Sequence, residues 1–228
     1  MTKIYFWGDS WASPTTYDIK NATDKGHSYN LLRQYGYDLT NYAQGGAGNF
    51  HSIYVSRNAL EPDYIVWFHT EMLRDLDLMV NKFKLFDGPW YLENGLHAIA
   101  KKIYELAAER LGRWQNTKLI LLQGQSPVVD PEFSQLIQPY ITKNWRYDLY
   151  SDEGKKLDPC YFLSTYYKIK SSQILDNAEE KKKIVGLVDK HYTEMTMNHY
   201  FPDNAHPSDT AHKQLAEWLH SVFQTNNQ

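Results

Sequence analysis

The chain has 228 residues, 42% of them hydrophobic and 22% charged, with a formal net charge of −3. That length suits a single α/β domain with a sizeable core, and the balance excludes a disordered chain. The charge leaves no basic footprint for nucleic acid. The lone cysteine, Cys160, excludes an internal disulfide and any multi-cysteine metal site, and it fits a reducing compartment. Met1–Trp7 lacks the pattern of a secretory signal. No apolar run approaches the roughly 20 residues of a membrane span, so no membrane partner is expected. The expectation is a soluble, cytoplasmic protein. Lys181-Lys182-Lys183 reads as a solvated helix face.

Ile4–Trp7 is β-rich and stops at a glycine, which predicts a buried first strand. His27–Tyr35 reads as a helix ending near Gly36, and Tyr37–Ala43 as a second strand. The Gly45-Gly46-Ala47-Gly48 turn follows, then a helix over Asn49–Leu60 stopped by Pro62. Tyr64–Phe68 is apolar throughout, as in a strand covered on both faces. From Trp90 to Leu111 the positions Leu92, Leu96, Ile99, Ile103 and Leu106 recur at helical spacing. Lys118–Gln123 predicts a fourth strand. A helix is expected over Glu179–His191, and a last one from about Ser208, with Ala211, Leu215, Trp218, Leu219 and Val222 on one stripe.

Alternating strands and helices imply a mostly parallel sheet wrapped on both faces, with ligands beyond the carboxyl ends of the strands. Residues 1–228 are expected to form one domain. The segment Ser126–Asp176 breaks the rhythm. It is rich in aromatics, including Trp145, Tyr147, Tyr161 and Tyr166, without clean periodicity. It reads as an insertion near the active site, too long for a plain connection. The 18 tyrosines and 7 tryptophans suit a thick core and also a surface that stacks on sugars.

Three short clusters carry chemistry. Gly8-Asp9-Ser10 puts a serine just past a buried strand, where a base must take its proton before it becomes a nucleophile. The bland alternative is a turn made of small polar residues. Pro202-Asp203-Asn204-Ala205-His206-Pro207 offers such a base. His206 can accept the serine proton, and Asp203 can hold the ring in the correct tautomer. The alternative there is a surface helix-capping turn. Asn41–Asn49 supplies glycines that let backbone N–H groups approach a developing oxyanion at a helix N-terminus. It is no dinucleotide fingerprint, because the third glycine is missing, and no phosphate loop follows.

Together these blocks resemble the SGNH or GDSL hydrolase family: Gly8-Asp9-Ser10, then Asn41…Gly46-Ala47-Gly48-Asn49, then Asp203-x-x-His206-Pro207-Ser208 before the last helix. The resemblance implies a flavodoxin-like three-layer α/β/α fold. It implies hydrolysis of esters, such as carbohydrate acyl esters, by a Ser-His-Asp triad without a cofactor. It also assigns Gly46 to the oxyanion hole, with backbone N–H donors from Ser10 and Gly46.

One block departs. The family has Gly-x-Asn-Asp after the third strand, with the Asn side chain as a further oxyanion donor. Here that stretch is His69-Thr70-Glu71-Met72-Leu73-Arg74-Asp75, and an ionised Glu71 cannot donate. Three alternatives stand: Thr70 or Asn49 supplies the donor, Glu71 pairs with Arg74, or the hole has two donors. His69 reads as a structural histidine more than a pocket residue. The histidines 191, 199, 206 and 212 do not form a metal pattern, so no metal is expected. Two other functions compete. One is a non-catalytic module on the same scaffold that binds carbohydrate or protein. The other is a nucleotide-binding protein, which the lack of a phosphate loop disfavours. An α/β-hydrolase is excluded because only one strand precedes the serine.

Overall fold

The computed structural model describes residues 1–13, 27–70, 74–75, 88–122, 135–144 and 209–225. They form β1 (Lys3–Trp7), α1 (Ser28–Arg33), β2 (Asp38–Asn41), α2 (Asn49–Val55), β3 (Tyr64–Phe68), α3 (Gly88–Arg113), β4 (Lys118–Leu122), β5 (Ile141–Asn144) and α4 (Asp209–Thr225). The predicted helix over Glu179–His191 lies outside the described residues.

All five strands are parallel, in the order β2-β1-β3-β4-β5. This is the flavodoxin-like order, with its topological switch between β1 and β3. Alternate side chains of the central strands feed two cores. Ile4, Phe6, Val66 and Phe68 pack with Trp11, with Leu32 of α1 and with Leu215, Leu219 and Phe223 of α4. Tyr5, Trp7, Ile65 and Trp67 pack with Phe50 and Ile53 of α2 and with Ile99, Ile103, Tyr104 and Leu111 of α3. The result is the three-layer α/β/α arrangement. The period of two along each buried strand sends one set of apolar residues to each helical layer.

The predicted helix stripes are buried where they meet the sheet: Ala211, Leu215, Trp218, Leu219 and Val222 in α4, and Ile99 and Ile103 in α3. Leu106 is only partly buried and sits at the margin of its core. Helix α2 stops at Val55, short of the predicted Leu60. The Ser56 hydroxyl there turns back to the Ser52 carbonyl at 2.7 Å. Strand β5 was not predicted. It falls inside the segment expected to be an insertion, so residues 141–144 belong to the sheet. Ile141-Thr142-Lys143-Asn144 is short and has one large apolar residue, as suits an edge strand that must not invite further pairing. No helix among the described residues is long and apolar enough to cross a membrane.

Candidate active site

Strand β1 ends at Gly8, whose φ is +139°. A Cβ at this position would lie 2.7 Å from the Phe68 carbonyl oxygen, so only glycine lets the ends of β1 and β3 come this close. The chain then hooks around Asp9. The Asp9 carbonyl accepts from the Ala12 and Ser13 N–H groups at 3.1 and 3.0 Å, and its Oδ1 accepts from Trp11 N–H at 3.0 Å. This one-turn hook carries Ser10, which is 7% exposed, past the carboxyl end of a central strand beside the switch point.

Asp9 is fully buried, and its charge is matched. Its Oδ2 accepts from the Thr70 hydroxyl at 2.7 Å and from an Arg74 guanidinium nitrogen at 3.2 Å. A cation and two further donors offset much of the cost of burying this carboxylate. The network therefore fixes the turn after β1 to the segment after β3.

The turn from β2 to α2 is tied to the same edge. Gln44 N–H donates to the Gly8 carbonyl at 3.3 Å, and the Asn41 amide donates to the Ala12 carbonyl at 2.7 Å. The buried Ser52 hydroxyl accepts from Gly8 N–H at 3.0 Å and donates to the Tyr42 carbonyl at 3.1 Å. Gly46 sits at φ +74°, the left-handed region that favours glycine. Gly48 precedes α2 with no capping side chain of its own. Asp75 supplies the cap from outside, accepting from Asn49 N–H at 3.0 Å and Phe50 N–H at 2.7 Å. A Cβ on Gly48 would fall 2.2 Å from the Asp75 carboxylate. Burial pushes the Asp75 carboxyl up to about 7, although three N–H donors and the Arg74 charge pull it down.

Asn49 is spent on structure. Its amide nitrogen donates to the Thr70 carbonyl at 2.9 Å and to Asp75 at 3.2 Å. Its amide oxygen accepts from Thr70 N–H at 2.9 Å and from the Trp67 indole at 3.2 Å. The Thr70 hydroxyl hydrogen is likewise given to Asp9. His69 is fully buried, 3.1 Å from the Tyr104 hydroxyl through Nε2 and stacked on that ring, which is a structural placement.

Four of the sequence-derived site residues, Ser10, Gly46, Asn49 and Thr70, thus occupy neighbouring turns at one edge of the sheet. Asp203, His206 and Glu71 lie outside the described residues. Asp75, Ser52 and the Asp9–Arg74 pair were not identified from sequence as positioning groups. A signal existed for Asp75: a helix that opens on Gly48 leaves its first N–H groups to an external acceptor. His27 is a further positioning residue. Its Nδ1 accepts from Tyr29 N–H at 3.2 Å, capping α1, and its Nε2 donates to the Trp11 carbonyl at 3.1 Å. Its ring packs 4.1 Å from that of His212 in α4, and burial pushes its pKa down to about 4. No group of metal-ligating side chains occurs among the described residues.

No known family's sequence profile matches the chain, and no curated protein matches it in sequence. Among solved structures, it is similar to the acetyl xylan esterase AlAXEase, at 14% identity and a TM-score of 0.45 over 96% of this chain and 98% of that one. It is similar to the psychrotrophic esterase EstA from Pseudoalteromonas sp., at 12% identity and a TM-score of 0.46 over the whole of both chains. A GDSL-like lipase from Parabacteroides merdae is 12% identical with a TM-score of 0.41, over 95% of this chain and 92% of that one. The chain's own strand order and parallel register make it a flavodoxin-like three-layer α/β/α domain.

Proposed function

We propose that the chain is a serine hydrolase of carboxylic esters, with Ser10 as nucleophile, His206 as general base and Asp203 as the carboxylate that orients it. The observation that carries the reading is the placement of Ser10, on a rigid hook beyond β1 at the switch point of a parallel sheet. Ser10 Oγ attacks the ester carbonyl carbon while His206 takes its proton. The oxyanion is met by the backbone N–H groups of Ser10 and Gly46. Collapse expels the alcohol, which receives the proton from His206. Water then attacks the acyl-enzyme by the same route, releasing the acid and restoring Ser10. No cofactor or metal enters these steps. The substrate class is a small-molecule or carbohydrate ester, with the aromatic segment 126–176 contributing to its recognition.

Both side chains that could replace the family's third donor are already engaged, Asn49 with Thr70 and Asp75, and Thr70 with Asp9. That favours a hole with two donors. Loss of one donor costs about 10²- to 10³-fold in turnover, so a slow enzyme on generic esters is expected. The same observation favours the second reading, a weakly active or inactive scaffold that binds carbohydrate or protein. Labelling with a fluorophosphonate, followed by mass spectrometry, separates them. An adduct on Ser10 is expected. An unlabelled Ser10 in folded protein would leave only the binding module.

A further inference from the structure

On the side of the sheet away from α1 and α4, helices α2 and α3 leave an open groove of about 290 Å³. Its floor is apolar: Phe50 and Ile53 from α2, and Leu106 from α3. Its rim is basic. Arg57 lies two residues beyond α2, and Arg110 and Arg113 stand in the last turn of α3. These cations cluster toward the amino edge of the sheet, opposite the edge that carries Ser10.

The three arginines differ in what holds them. Arg113 pairs with Glu109. Arg57 lies over the Tyr54 ring, 4.1 Å from its centroid, and donates to the Tyr54 carbonyl at 3.0 Å. Arg110 donates to the Arg57 carbonyl and lies over the Trp114 ring, 5.6 Å from its centroid, and among the described residues its buried Nε has no acceptor. Among the described residues neither Arg57 nor Arg110 is paired with a carboxylate. Burial, followed by the Arg113 charge, pulls the Arg110 guanidinium down from the ordinary arginine value, with the Glu109 carboxylate opposing the shift. Arginines in the last turn of a helix do complement its dipole. That role needs no buried Nε and no apolar floor beside it. Two guanidinium groups that have no paired carboxylate among the described residues, set beside an apolar trough, are complementary to a carboxylate on an alkyl tail.

We propose that this groove is a binding site for a single-chain alkyl carboxylate, its tail on Phe50, Ile53 and Leu106 and its head between Arg57 and Arg110. The volume is at the small end of ligand sites, which suits one short chain better than two. The site is separate from the ester-hydrolase reading and does not rest on it.

The test is titration of the full chain, ¹⁵N-labelled, with octanoate, octanol and acetate, following amide shifts assigned to the groove and to the Ser10 edge. Saturable shifts at Ile53, Leu106 and Arg110 with octanoate are expected, with octanol and acetate at least about tenfold weaker, since each lacks half of the recognition. Arg57→Gln should weaken octanoate by a similar factor, and Arg57 is a surface residue whose loss leaves the core intact. Leu106→Trp, which fills the floor, should abolish the groove shifts. The proposal is overturned if octanol binds as well as octanoate, if the shifts gather around Ser10 and Gly46, or if Arg57→Gln leaves the affinity unchanged. It is equally overturned if sedimentation shows a second copy of the chain covering the groove.

Discussion

Two buried carboxylates brace the candidate site, and they are held in opposite ways. Asp9 has a guanidinium at 3.2 Å and a hydroxyl at 2.7 Å on one oxygen and a backbone N–H on the other. Among the described residues Asp75 has only N–H groups within hydrogen-bond reach, from Asn49 and Phe50, and burial lifts it to about 7. Amide dipoles at a helix N-terminus recover part of the lost hydration, whereas a close cation adds direct Coulomb attraction that offsets more of the burial cost. The turn that bears Ser10 is therefore held by an ion pair. The turn that bears Gly46 leads into a helix whose cap changes protonation near neutral pH.

If the two turns divide the work this way, Ser10→Ala should lower esterase turnover by at least about 10³-fold and leave the melting temperature in place. Asp75→Ala should do the reverse, lowering the melting temperature by roughly 5 °C or more while the residual chemistry persists. Wild-type turnover in Ser10→Ala would remove Ser10 from the mechanism.

Stability against pH sharpens the contrast. Asp75 is raised from 3.8 to about 7, so the folded state holds a proton that the unfolded state has lost. Its contribution is complete below pH 3.8 and disappears as pH rises through 7. His27 is lowered from 6.5 to about 4, so below pH 6.5 the unfolded state binds a proton that the folded state refuses. Its contribution is complete above pH 6.5 and is lost as pH falls through 4. Each amounts to about 3 to 4 kcal/mol, and between pH 4 and 6.5 the two slopes oppose each other. Denaturant titrations at several pH values should show a nearly flat wild type on this account. Asp75→Asn should expose the acid loss due to His27, and His27→Asn, which keeps a capping acceptor, the opposite slope. Identical profiles for all three proteins would refute both assignments.

Gly48→Ala should cost about 3 kcal/mol, because its Cβ would meet the Asp75 carboxylate. Combined with Asp75→Ala the cost should be clearly less than the sum, as expected of groups in direct contact. An additive pair would mean that the clash is relieved elsewhere. The smallest effect concerns Arg74, whose side chain is 26% exposed. Water reaches only the Arg74 side of the pair, and the Thr70 and Trp11 donors stay on Asp9, so Arg74→Met should cost about 2 kcal/mol, measured by urea unfolding. A cost as large as that of Gly48→Ala would show that the Asp9 ion pair, not the packing at Gly48, dominates the site's stability.

Much of this architecture was written in local patterns. Four strands of the sheet and the stripes of α3 and α4 follow from apolar runs and from spacing, because burial on a sheet demands a fixed period. The position of Ser10, at the end of a first buried strand, was legible for the same reason. Strand β5 was not, since an edge strand is selected for the lack of an apolar run. The networks behind the site were not legible either. That Asn49 is fully engaged by Thr70, Asp75 and Trp67, and that Asp75 rather than a neighbour caps α2, depends on residues 18 to 26 positions apart. Such pairings are decided by where the turns after β2 and β3 meet in space. Hydrogen-bond partners are chosen by distances of about 3 Å, and only the folded sheet sets those distances.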